Sequence, residues 1–161
     1  MIIKQSFLTI IKIFIIVICS ISTVKSSNFI DKGNYIIDLK LRVEWLKCPV
    51  GMNWNEETCI GEPIKLSLEE AQTIRHQVGD ELGGEWRLPS KSELKSLICK
   101  QCEKVKINQE LFPNTPAELF WTSERNWWSP KFFWSVNFYT GHAYGRFVPE
   151  KKLFIRFLRD R

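Results

Sequence analysis

The chain has 161 residues, of which 13% are aromatic, with seven tryptophans, five cysteines and a net charge of +5. It is too short to need a second domain, it carries no internal repeat, low-complexity tract or Gly-X-Y run, and its pattern order is neither Rossmann nor helical bundle. The basic surplus makes no case for a nucleic-acid partner, because much of it lies in the first 26 residues.

Met1 to Ser26 has the form of a signal peptide, with Lys4 ahead of an apolar run, Ile13 to Cys19, and the small residues Ser20, Ser22 and Ser26 behind it. The run is far shorter than the roughly 20 residues of a membrane span, so no stable span is expected once the leader is removed. Ile18 stands where a lipidated Cys19 would need a small neighbour. Cleavage leaves residues 27–161, enough for one domain of about 135 residues. The leader holds Lys4, Lys12 and Lys25 and no acid, so the net charge falls from +5 to about +2. The expected location is secreted, periplasmic or at the cell surface.

Asn28 to Trp45 predicts one or two strands, since Leu39, Leu41, Val43 and Trp45 alternate with Lys40, Arg42 and Glu44. Cys48 to Pro63 reads as loop around Trp54. Ser67 and Glu70 have capping-box spacing ahead of a helix whose inner face carries Leu68, Ala71, Ile74, Arg75 and Val78, with His76 turned outward. In "GGEWRLPSKSEL" the same device recurs at Ser90 and Glu93. Pro89 forces Leu88 into an extended conformation, and Trp86 and Leu88 are expected to be buried beside the new helix. After Cys102 the pattern turns to strands: "ELFWTS", an exposed loop "RNWWSPK", "FFWSVNF", a Thr140–Gly141 hairpin turn, and "KKLFIRFLR" as a final strand. Two helices packed on short, aromatic-rich antiparallel strands make the fold class α+β.

Without Cys19, four cysteines remain, an even number that suits two disulfides in an oxidising compartment. Three pairings are open. The turn-rich segment between Cys48 and Cys59 favours closing that loop, which leaves Cys99 and Cys102 as a local bridge clamping the end of a helix. The same "CKQC" could instead be half a zinc site or a redox couple, but the first lacks a second ligand pair at metal spacing and the second lacks a thioredoxin-like setting. No metal or cofactor is expected.

The series "VEWLKCPVGMNWNEETCIGE", "GGEWRLPSKSELKSL", "FPNTP" with "FWTS", "WSVNFYTG" and "LFIRFLR", from about Trp45 to Arg159, resembles the Lcl C-terminal domain family, a domain of unknown function that ends a bacterial collagen-like adhesin. The resemblance implies a C-type-lectin-like single domain, distantly akin to formylglycine-generating enzymes, and binding of sulfated glycosaminoglycans. The collagen stalk is absent here, so avidity through it does not carry over.

The expected function is non-enzymatic, adhesin-like recognition of surface glycans or other anionic partners, with a structural or assembly module that binds a partner protein through its strand edges as the alternative. No cysteine beyond Cys102 supplies the reactive pair of the formylglycine-generating relatives. A hydrolase would have to pair His142 with Ser135 or Ser129. The Glu-Pro-Asn and Trp-Asn-Asp strings of calcium lectins do not occur. The candidate ligand residues are Trp127 and Trp128, whose rings can pack on sugars, with Arg125, Arg146, Lys151 and Lys152 for sulfate or carboxylate groups. The competing expectation is that both tryptophans complete the core, and that the C-terminal cations, Arg156 and Arg159 among them, form a solvated strand edge.

Overall fold

The computed structural model describes residues 28–161. The leader and Cys19 lie outside the described residues. Among the described residues, thirteen elements follow in chain order. Three short strands open the domain, β1 (Phe29–Asp31), β2 (Tyr35–Asp38) and β3 (Val43–Leu46). The expected run from Leu39 to Trp45 is broken by a tight turn: the Asp38 carboxylate accepts from the Lys40 and Leu41 amides, Arg42 takes a left-handed φ of 59°, and Leu39 is left exposed. The segment expected as loop contains a hairpin, β4 (Met52–Trp54) and β5 (Cys59–Gly61), turned by Asn55, whose side chain accepts from the Glu57 and Thr58 amides. The two-residue β6 (Lys65–Leu66) leads into α1 (Leu68–Leu82), and α2 (Lys91–Ser96) follows. Both helices start in capping boxes, at Ser67/Glu70 and Ser90/Glu93, as the sequence predicts.

The second half supplies β7 (Leu119–Arg125), β8 (Phe133–Asn137), β9 (His142–Phe147), β10 (Leu153–Phe154) and β11 (Leu158–Asp160). The C-terminal segment is therefore not one strand. It pairs first in a five-stranded sheet, order β6-β10-β7-β8-β9, and, after three intervening residues, in a four-stranded sheet, order β1-β2-β3-β11. All ladders are antiparallel except β10 with β7, where Phe154 lies beside Phe120 in parallel. The mixed helix and strand content agrees with an α+β domain.

Strands shared by two cores explain the aromatic content. On β7, Phe120 faces a core built with Ile36, Trp45, Phe138 and Leu94, while its neighbour Trp121 faces a second core with Leu68, Ala71, Trp86 and Phe157. Successive strand residues point to opposite faces, so a strand with both faces covered needs an apolar residue at every position. Trp86 and Leu88 are buried, and Arg87 pairs through its main chain with Leu158. Its guanidinium holds Glu93 at 2.7 Å and Asp160 at 2.6 Å, tying the start of α2 to β11. The "WRLP" segment is thus a corner that joins a helix to a sheet.

Two cations expected among solvated groups lie inside or against the core. Arg156 is fully buried: it donates to the carbonyls of Leu46 and Lys47 and to Thr115 Oγ1, and it lies over the Phe112 ring. Burial pushes its pKa down to about 9, which still leaves it charged at neutral pH. Arg159 is half-buried against Trp86 and Tyr35 and paired with Glu44. Lys47 is buried too, its ammonium 2.7 Å from Asp31 and 3.7 Å from the Trp54 ring centre.

The cysteines pair as Cys48–Cys59 and Cys99–Cys102. The first closes the β4–β5 hairpin onto the end of β3, and the second follows α2 directly.

Replacing Arg156 by Ala takes the donor from the buried Leu46 and Lys47 carbonyls and leaves a cavity, so unfolding free energy falls by about 3 kcal/mol or more, read from the urea midpoint. Arg156→Met, which keeps the bulk, loses less. The Arg87 guanidinium holds the Glu93 and Asp160 carboxyls below the usual carboxylate range. Their contribution is present above the unfolded values near 4 and is lost as pH falls through the lowered folded ones. Arg87→Met therefore costs less stability at pH 3 than at pH 7 in denaturant titrations.

Candidate functional site

The exposed aromatic loop 126–132 joins β7 to β8. Asn126, a residue suited to starting an Asx turn, holds it at both ends: Oδ1 accepts from the Trp128 amide at 3.0 Å and Nδ2 donates to the Gly145 carbonyl of β9 at 2.7 Å. The Asn126 amide donates to Phe132 O, and Arg125 Nη1 donates to Pro130 O at 2.8 Å. Arg125 also lies over the Phe133 ring, 4.8 Å from its centre. Its guanidinium thus braces the loop as well as offering charge.

Trp127 and Trp128 are 70% and 74% exposed, so they do not complete the core. They stack on each other, ring centres 3.6 Å apart and planes tilted by 31°. Two indoles face solvent on a loop whose backbone is pinned to a sheet. Such a surface presents a large apolar contact area with little ordering cost on binding.

The other candidate cations fall into two groups. Arg146 is exposed on β9, over Tyr144 and next to Gly145, whose carbonyl anchors Asn126. Lys151 and Lys152 lie in the turn after β9, closed by the Lys151 amide donating to Val148 O. Lys152 is engaged by Glu70 at 2.9 Å, and the Ser67 amide and then Lys152 hold that carboxyl below its ordinary value. Lys151 is exposed beside it. A shallow groove of about 280 Å³, whose lining includes Arg125, Phe133 and Pro149, connects the base of the tryptophan loop to this turn.

The sequence reasoning missed Asn126, Lys131 and Tyr139. Lys131 lies over the Phe132 ring at 5.0 Å, and Tyr139 is 66% exposed in the β8–β9 turn. The signal for Asn126 was its place directly before the tryptophan pair. Of the serines weighed as nucleophiles, Ser135 is buried and donates to the Tyr144 carbonyl, while His142 is exposed. Among the described residues, no group of three His, Cys, Asp or Glu side chains is placed to hold a metal ion, and no helix is long and apolar enough to cross a membrane.

These features define a disulfide-bridged α+β domain with an aromatic loop presented from a sheet. Residues 34–159 match the Lcl C-terminal domain, and the chain belongs to that family. The same comparisons returned no match among curated proteins or solved structures.

Removing the Asn126 side chain breaks the tie to Gly145. Asn126→Ala costs about 1 kcal/mol of stability and speeds hydrogen exchange of the amides in 127–132, while those in β7 and β8 keep their protection. Unchanged exchange in the loop would show that the pinning is unimportant.

Proposed function

We propose that this domain is an exported, non-enzymatic recognition module that binds anionic surface glycans through the loop of Trp127 and Trp128 and the cations around it. The observation that carries this reading is the exposure of two stacked indoles on a braced loop, since Trp45, Trp86 and Trp121 are buried in the two cores and these two gain nothing in stability by standing outside. Arg125 at the base of the loop and Arg146 next to Gly145 add positive charge beside the pair, Lys151 adds it in the turn after β9, and guanidinium forks suit sulfate and carboxylate groups. The C-type-lectin-like fold implied by the family resemblance belongs to this reading. Two disulfides support export to an oxidising compartment, secreted, periplasmic or on the cell surface.

A second reading has one observation in its favour. Strand β9 spans six residues at the open edge of the five-stranded sheet, where an extended segment of a partner protein could pair.

Retention on immobilised heparin and on a glycan array separates the two. Glycan binding gives retention that falls steeply with salt, drops about tenfold in affinity for Trp128→Ala, and weakens further in the Lys151→Ala/Lys152→Ala double variant. Retention unchanged in both variants removes these residues from any site, and co-purification of one protein at high salt favours the edge-strand reading instead.

A further inference from the structure

A separate feature lies on the corner that the glycan reading does not use. Between the second half of α1 and residues Gly84 to Arg87 run two adjoining grooves of about 450 and 300 Å³, both lined by Arg75, Gly84, Glu85 and Trp86. The larger continues to Glu44, Arg159 and Asp160, and the smaller runs along α1 past His76 and Asp80. Volumes of this size suit a small organic molecule.

The groove exists because two glycines bring the helix and the corner together. A Cβ on Gly79 would meet the Gly84 carbonyl at 3.0 Å, and one on Gly84 would meet the Arg159 guanidinium at 2.8 Å. Gly84 also has a φ of 85°, a conformation open to glycine and strained for other residues.

The charges in the walls are unequal in their commitments. Arg87 is occupied by Glu93 and Asp160, and Arg159 by Glu44 and the Gly83 carbonyl. Arg75 has no carboxylate partner. Its Nη2 lies 3.3 Å from His76 Nε2, and its Nε is buried with no hydrogen-bond acceptor. Arg75 lines both grooves and, unlike Arg87 and Arg159, is not paired with a carboxylate, so it is the wall cation left to receive an oxyanion. On the same grooves Glu85 and Asp80 are exposed carboxylates without an ion-pair partner among the described residues. An anion alone would meet their repulsion, and a cation alone would leave Arg75 unanswered.

We propose that this groove binds a small zwitterion, a molecule carrying a carboxylate and a primary ammonium, of which a free α-amino acid is the simplest. The carboxylate is received by Arg75 and the ammonium by Glu85 and Asp80. The site is independent of the tryptophan loop, and either can fail without the other.

The test is a titration of the purified, isotope-labelled chain with glycine, L-glutamine, acetate and methylamine, following the Trp86 indole and Arg75 Nε signals by NMR. The expected result is saturable shifts with the two amino acids at concentrations up to about 10 mM, with acetate and methylamine each at least about tenfold weaker. Arg75→Gln and the exposed Glu85→Gln each weaken amino-acid binding about tenfold or more, with the remaining spectrum unchanged as the check on folding. Absence of saturation with either amino acid, equal binding of acetate, or unaltered affinity in Glu85→Gln overturns the proposal.

Discussion

The guanidinium of Arg156 is the constraint around which the two sheets are arranged. Between β10 and β11 the chain leaves one sheet and joins the other, and a residue at that crossing has no ladder partner for its side chain to follow. Arg156 answers with donors: it binds the last carbonyl of β3, that of the following residue, and the Thr115 hydroxyl, over the face of Phe112. Those acceptors belong to segments otherwise distant in sequence, so one side chain fixes the exit of β3, the turn after Phe112 and the sheet crossing together. A buried charge of this kind is expensive to desolvate, and its geometry is satisfactory only in one arrangement, which favours a single packing.

Around that point, the sequence was readable wherever a short-range rule decides the structure. The two capping boxes depend on residues three apart, the "WRLP" corner on the restriction that Pro89 imposes, and the Cys48–Cys59 pairing on a short turn-rich loop. Readability failed where the deciding partner is remote or the competing local signal is a single side chain. Arg156 and Arg159 read as surface charges because their acceptors, Leu46 and Glu44, lie over a hundred residues earlier. The strand pattern across Leu39 to Arg42 lost to the Asp38 side chain, which offers the backbone a turn instead. Within the candidate site, the loop position of Trp127 and Trp128 was evident, but whether the rings face solvent or core depends on Asn126 reaching Gly145 on another strand.

The division of labour that results is simple. Two cores and two disulfides keep the scaffold stiff, and the surface features with unmet bonding capacity lie on loops and corners attached to it. The tryptophan loop offers apolar faces beside cations, whereas the groove beside the "WRLP" corner offers charges of both signs. They call for different chemistry in a ligand, and the scaffold positions each through different strands.

The crossing of the chain between sheets also governs when this domain can assemble. Leu153 to Leu158 contributes side chains to both cores, and β11 pairs with β3 at the opposite end of the sequence. While a ribosome is still making the chain, neither sheet can be completed. Until that stretch emerges, apolar strand faces of both cores remain uncovered.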